Sequence, residues 1–338
     1  MREDAAVITA ELPAALAAAL RAQLGRQQAR SGVAALSERY RGACTPPGPR
    51  ARSLDDVFAY ATTRLPATYA AASATLSELR SRWTTFAPRS HLDLGAGLGP
   101  AAWAAASLWP TLEAVTAIEL EPAMLEAGRR LAVAGPPAVA RSSWRRGDVH
   151  RDFPEGSFDL VTIGYVLNEL EPAAMTPLLE NAWAATTGAI AIVEPGTPDG
   201  YLRVLEARDT LLALGGFTVA PCPHDRPCPL TGADWCHFAV RLPRSTEHRA
   251  GKQARLGHED EKFSYVVVAR EERSRVPARI LRHPQVRGGH VRLELCAAEG
   301  LRTLVVSKRD REAYRAARKA SWGDGIEAPD DRTPGDIR

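Results

Sequence analysis

Residues 91–105 read HLDLGAGLGPAAWAA, and the order of side chains in this stretch decides the fold. An apolar run closes on Asp93. Glycines follow at 95, 97 and 99, and an Ala/Trp stretch with helix-forming residues comes next. Glycines at alternate positions let the backbone turn tightly and let a ligand approach the main chain. Amides at the N-terminus of the following helix can hold a carboxylate. The D-x-G-x-G-x-G order differs from the G-x-G-x-x-G of dinucleotide folds. It favours S-adenosylmethionine, which has no pyrophosphate to cradle. Taken alone, a glycine turn in some other α/β domain would give the same loop.

The flanking sequence narrows the choice. HLDLGAG, AVTAIEL, FDLVTIGYVL and GAIAIVEPG are short apolar runs ending in Gly, Glu or Asn, with the helical stretches PAAWAAASLW, PAMLEAGRRLAV and AAMTPLLENAWAAT between them. Strands alternating with helices predict an α/β fold with a parallel sheet covered on both faces. Ligands of such sheets bind at the C-terminal strand ends. Glu119 ends the second strand, where an acid can accept both ribose hydroxyls. Asp148, in RRGDV, ends the third and is placed to meet an adenine amine. Asn168 and Glu169 lie just beyond the fourth, facing the transferable methyl. Asp93, Gly95, Gly97, Gly99, Glu119 and Asp148 are therefore the expected cofactor-binding residues, and in this order they resemble the class I methyltransferase superfamily.

The chemistry of any methyl acceptor is less defined. Enzymes that methylate an exocyclic base nitrogen place an Asn/Asp-Pro-Pro-aromatic loop after strand four, where this chain reads NELEP. Methylating C5 of a pyrimidine needs a cysteine nucleophile, and none lies between residues 91 and 221. Asn168, Glu169 and Glu194 are catalytic candidates without an assigned role. Glu194, in VEPGTPDGY, is equally placed to fix the loop after strand five.

The rest of the 338 residues organises around this core. Residues 1–88 read as a helical N-terminal domain, with Ser53 as an N-cap, Pro66 dividing a long helical stretch, and a loop at TPPGPR (45–50). The cofactor-binding core spans 89–220. A cysteine-rich segment occupies 221–262. Residues 263–320 hold the last core strand (KFSYVVVARE), three further strand candidates and a basic helix (DREAYRAARKASW), and 321–338 form an acidic flexible tail. Net charge is +3, but unevenly spread: residues 241–320 carry 20 Lys/Arg against 10 Asp/Glu, whereas 1–240 carry 21 against 25. A basic block on a near-neutral body suggests a polyanionic partner, the plainer alternative being a solvated arginine-rich surface. The first residues are acidic where a signal peptide is basic, and no run of 18 or more apolar residues occurs. The expected compartment is a reducing cytoplasm, with no membrane partner. The oligomeric state is not legible.

Three of the five cysteines crowd into PCPHDRPCPLTGADWCHF (221–238), spaced C-x5-C-x7-C, and a fourth, Cys296, lies in LELCAAEG. An odd count in a reducing compartment argues against disulfides. Paired C-x2-C knuckles are absent. Cys222, Cys228, Cys236 and Cys296 together make four soft ligands, which suit a [4Fe–4S] cluster as well as zinc. His224 and His237 keep a Cys3His zinc site open. A radical S-adenosylmethionine enzyme is excluded by spacing, since that chemistry uses a C-x3-C-x2-C loop. Cys44 fits none of these patterns and reads as an ordinary buried thiol.

TRLPATYAA, DLGAGLG, YVLNEL, VEPGTP, the four cysteine positions, RLPRSTEHR, EDEKFSYVVVAR and YRAARKASWGD are together similar to one family. It comprises the bacterial relatives of the methyltransferase-like mitochondrial small-ribosomal-subunit assembly factor. The resemblance covers most of the chain. It implies association with small-subunit rRNA and with maturation of that subunit, and a [4Fe–4S] cluster held by Cys222, Cys228, Cys236 and Cys296. It leaves two roles, an rRNA methyltransferase or a non-catalytic ribosome-binding factor. A small-molecule methyltransferase with a zinc site is the third reading. Arg279, Arg282, Arg287, Arg292, Arg309 and Arg315 are the expected phosphate contacts.

Overall fold

A computed structural model describes residues 10–24, 54–243 and 257–327. Cys44, the 45–50 loop, the Ser53 cap and the end of the acidic tail lie outside the described residues. Among the described residues three helices come first: α1 (Ala14–Leu24), α2 (Leu54–Thr63) and α3 (Leu65–Arg82). Pro66 sits in the first turn of α3, where its missing amide is not needed, so it divides the helical stretch as expected.

The main sheet follows: β1 (Ser90–Leu94), α4 (Pro100–Leu108), β2 (Ala114–Glu119), α5 (Pro122–Ala132), α6 (Pro137–Ala140), β3 (Ser143–Arg146), β4 (Phe158–Gly164), α7 (Pro172–Ala185), β5 (Thr186–Pro195), α8 (Pro198–Ala213), β6 (Phe217–Ala220), β7 (Phe238–Pro243) and β8 (His258–Ala269). Each of α4 to α8 begins on a proline, which fixes φ for the first turn. The strand order is β3-β2-β1-β4-β5-β8-β6. β1 to β5 are parallel, and β8 runs antiparallel between β5 and β6. This is a Rossmann-like parallel sheet with one antiparallel strand inserted near its edge.

Period-two alternation divides the central strands between two cores. Val161, Ile163, Ile190, Ile192, Val266 and Val268 face α7 and α8. Leu160, Ala189, Ala191, Val193, Val267 and Ala269 face the other way, in one cluster with α1–α4. The small side chains on that face meet an equally small helix surface: Ala67, Ala70 and Ala71 of α3 are fully buried. The N-terminal helices thus share their core with the sheet.

β8 is long enough to serve two partners along one side. Its second half pairs β6 and its first half pairs β7. The cysteine segment is the connection between β6 and β7, so it leaves and rejoins the same edge of the sheet. A second sheet follows, made of β9 (Ala278–Ile280), β10 (Gln285–Val286), β11 (His290–Ala297), β12 (Gly300–Ser307) and β13 (Gly325–Ile326). Its order is β10-β11-β9-β13, with β12 on the other side of β11. Helix α9 (Arg311–Lys319) covers one face of it, through Tyr314 and Ala317. Cys296 on β11 stands opposite Arg279 on β9.

Candidate functional site

The glycine loop has the geometry its sequence demands. Gly95, Gly97 and Gly99 have φ of 70°, 55° and 81°, a region open to glycine and costly for other residues. A side chain at Gly95 would also collide with Val166. Gly99 is the N-cap of α4. The Gly97 amide donates to Glu119 Oε2 at 2.7 Å, and the Glu121 amide donates to Oε1 at 2.8 Å. Two main-chain donors therefore fix the carboxylate at the end of β2. Burial raises its pKa against the opposing pull of these amides. Asp148 lies beyond β3 and accepts from the His150 amide. The neighbouring Gly147 amide donates to the Glu119 carbonyl, which brings the two acidic positions together.

Asp93 belongs to a buried chain of polar groups. Thr162 Oγ1 donates to Asp93 Oδ1 at 2.8 Å and pairs with His91 Nε2 at 2.7 Å. Asp93 Oδ2 is buried with no hydrogen-bond partner. Burial pushes Asp93 up to about 7 and His91 down to about 3. Asp93 lines a pocket beneath α3, together with Gly95, Tyr60, Thr75 and Tyr165. Thr75 Oγ1 is a second buried oxygen without a partner.

Tyr60, Thr75 and Tyr165 were not among the expected site residues. Tyr165 carries one signal, its place directly after a strand-ending glycine. It adopts φ 60° as a non-glycine residue, and its hydroxyl donates to Glu261 Oε1 at 3.1 Å, which Arg64 also reaches at 3.2 Å. The three catalytic candidates fall differently. Glu194 is fully buried and accepts the Leu167 amide at 2.7 Å. It pins the turn after β4 and does not line the cavity, and burial raises it to about 8. Asn168 and Glu169 form part of that turn and also lie outside the cavity wall.

Cys222, Cys228, Cys236 and Cys296 line a second pocket. The β6–β7 connection supplies three of these thiols, and β11 supplies the fourth from the second sheet. Burial raises the pKa of Cys222, Cys236 and Cys296, the last to about 12. Two buried guanidinium groups, Arg208 and Arg279, also line it. His224 Nε2 lies 3.7 Å from Cys296 Sγ, while His237 stacks on Trp235. Among the described residues no three His, Cys, Asp or Glu side chains sit close enough to hold a single metal ion.

Arg279, expected at a phosphate, is instead 1% exposed. It donates to the Pro221 carbonyl at 3.1 Å, the Gly323 carbonyl at 2.7 Å and Glu78 Oε2 at 2.9 Å. It ties the second sheet to the cysteine segment, the C-terminal strand and α3.

Comparison with known proteins gives matches along most of the chain. The human protein "Ribosome assembly protein METTL17, mitochondrial" is 32% identical over 289 residues, covering 78% of this chain and 61% of the human one. The Schizosaccharomyces pombe "Rsm22-cox11 tandem protein 2, mitochondrial" is 26% identical over 321 residues, covering 79% and 42%. The chain thus spans about three fifths and two fifths of these two relatives. Among solved structures, magnesium protoporphyrin IX methyltransferase from Synechocystis PCC 6803 with bound SAH matches with a TM-score of 0.41 and 9% identity, over 71% of this chain and 95% of that one. Residues 54–327 match the family described as mitochondrial small ribosomal subunit Rsm22, and with the match taking in the glycine loop, all four clustered cysteines and the second sheet, the chain belongs to that family.

Proposed function

We propose that this chain is a small-ribosomal-subunit assembly factor of the cytoplasm that binds S-adenosylmethionine at the glycine loop and carries a [4Fe–4S] cluster on its four clustered cysteines. The observation that carries the reading is the family match over residues 54–327, together with the name of the human relative, a ribosome assembly protein.

The residues at the first cavity suit the cofactor. The buried, unpartnered Asp93 Oδ2 would receive a cationic group, and Glu119, held by two amides, keeps lone pairs for ribose hydroxyls. S-adenosylmethionine would supply an electrophilic methyl group. Asp93 and Glu119 would orient it, and α3 would exclude water from its buried side.

The second cavity is lined by all four clustered cysteines, and this shared lining is what supports the cluster reading. A cubane takes one thiolate at each of four separate irons, so its ligands ring a cavity, as these four cysteines do. Thiolate ligands bring negative charge into a dry site, and Arg208 and Arg279, which also pair with Asp209 and Glu78, would lie beside it. When bound, the cluster would bridge the β6–β7 segment and β11, tying the second sheet to the body.

A non-catalytic role, with the cofactor stabilising the fold, is the second reading. It is favoured by Glu194 being spent on the turn after β4 and by Asn168 and Glu169 lying outside the cavity wall.

The test is anaerobic purification of the full chain, then sedimentation with small subunits in low salt. Brown protein with about four irons per chain, co-sedimenting at low salt and released at high salt, is the expected result. Colourless protein with stoichiometric zinc overturns the cluster, and free sedimentation at low salt overturns the ribosomal role. Mapping methyl marks on small-subunit rRNA with and without the gene separates the two roles: a lost mark means an enzyme, and an unchanged pattern with delayed subunit maturation means a factor.

A further inference from the structure

Two buried hydrogen-bond donors outside the cysteine segment stand beside its sulfurs, and one of them bonds a sulfur directly. Tyr201 and Arg208 are seven residues apart on α8, which puts them two turns apart on one helix face. Both line the thiol cavity, with Val204 and Leu205 between them. The Tyr201 hydroxyl donates to Cys228 Sγ at 3.2 Å. Arg208 is 3% exposed. Its Nη2 donates to the carbonyls of His224 at 3.1 Å and Arg226 at 2.7 Å, its Nη1 donates to Asp209 Oδ1 at 2.6 Å, and the guanidinium lines the same cavity as Cys222.

Helix α8 is placed by the main sheet, independently of the cysteines. Its N-cap Thr197 accepts from the Gly200 amide at 3.1 Å. Gly200 packs so closely on the Pro195 carbonyl that a side chain there would collide. Val204, Ala207 and Leu211 are buried against β5 and β8 in the second core. The donors therefore stand ready on a rigid element, and the loop folds onto them.

We propose that this face of α8 is a hydrogen-bonding platform for the cluster, with Tyr201 and Arg208 acting as positioning residues on the sulfurs of Cys228 and Cys222. The proposal rests on the [4Fe–4S] reading above. A coordinated thiolate sulfur carries negative charge, and a donor aimed at it stabilises that charge. The more negative, reduced cluster gains more from such a donor than the oxidised one, so the platform raises the reduction potential. It also slows dissociation, because a sulfur held in place on a rigid helix is returned to its iron before it can move away. Arg208 adds a full positive charge and fastens the 224–226 backbone between two of the cysteines.

The experiment uses the full chain, purified anaerobically, as wild type and as Tyr201→Phe, Arg208→Lys and Arg208→Gln. Iron content, visible spectrum, potential in a dithionite titration and the rate of iron loss to a chelator are measured on each. Tyr201→Phe should keep its iron and its melting temperature, titrate at a more negative potential and lose iron about 10-fold faster. Arg208→Gln should lose iron faster still, with Arg208→Lys partly restoring retention. Tyr201→Phe and Arg208→Lys that both match wild type in potential and in iron loss would overturn the platform. A wild-type chain that binds no iron overturns the cluster reading itself, so the two failures are distinct.

Discussion

Two carboxyl oxygens, Asp93 Oδ2 at the end of β1 and Glu194 Oε2 at the end of β5, are buried without a hydrogen-bond partner. Burial raises Asp93 to about 7 and Glu194 to about 8. Between the ordinary carboxyl range near 4 and these values, the folded chain binds more protons than the unfolded one. Stability should therefore fall as pH rises through that window and level off above it. His91, lowered to about 3 by burial, works oppositely: the unfolded chain takes its proton first, so stability is lost as pH falls below about 6.5. Glu194→Gln keeps an acceptor for the Leu167 amide and cannot ionise. Its melting temperature should match wild type near pH 5 and exceed it at pH 8, by an amount worth about 1 kcal/mol or more. Parallel curves for the two proteins from pH 5 to 8 would show that Glu194 is not the titrating group. Glu119 and the glycines were legible in the sequence because strand ends and left-handed turns are local features. Tyr60 and Thr75 were not, because only the packing of α2 and α3 against the sheet brings them to Asp93.

The link between α3 and β9 shows what a linear reading misses at the level of elements. Arg279 lies between Ala278 and Ile280, both fully buried, and a strand that short gives no clear alternation. Its carboxylate partner, Glu78, is 201 residues away. Charge counting therefore put this arginine at the surface, whereas three carbonyl and carboxylate acceptors hold it inside. Strand β7 escaped for a related reason. Proline, charge and cysteine before it mask its alternation, which becomes visible only as its pairing with the first half of β8. In the second sheet β9, β11 and β12, and α9 beside them, were legible because each is an apolar or amphipathic run bounded by turns, whereas β10 and β13 have two residues each, and β13 falls in what read as a flexible tail. Removing the Arg279 charge should leave Glu78 and two carbonyls unmatched. Arg279→Gln should cost about 2–4 kcal/mol. The cost should appear in amide exchange as faster opening of residues 278–326, with the core strands β1, β4 and β5 still protected. Uniform loss of protection across both sheets would mean that the two unfold as one unit.

Over the whole molecule, the basic excess of residues 241–320 divides into internal ties and outward charge. Arg279 is buried, Arg282 pairs with Asp234, and Arg292 lies 3.7 Å from Glu294. Arg287, Arg309 and Arg315 are exposed. So are Arg311, Arg318 and Lys319 on the outer face of α9, and among the described residues none of these four α9 cations pairs with a carboxylate. A surface that meets rRNA through phosphates would therefore centre on α9. Each phosphate neutralised releases a counterion, so the dependence of log affinity on log salt steepens by about 0.7–0.9 per contact. Replacing Arg311, Arg315, Arg318 and Lys319 together by Gln should weaken binding to small-subunit rRNA about equally for different sequences. It should also flatten the salt slope by about 3, while Arg287→Gln alone should flatten it by about 1 at most. Filter binding from low to moderate salt measures both. A quadruple variant with the wild-type slope would move the contact surface away from α9, and a wild-type chain whose affinity is insensitive to salt would remove phosphate contact as the basis of binding altogether.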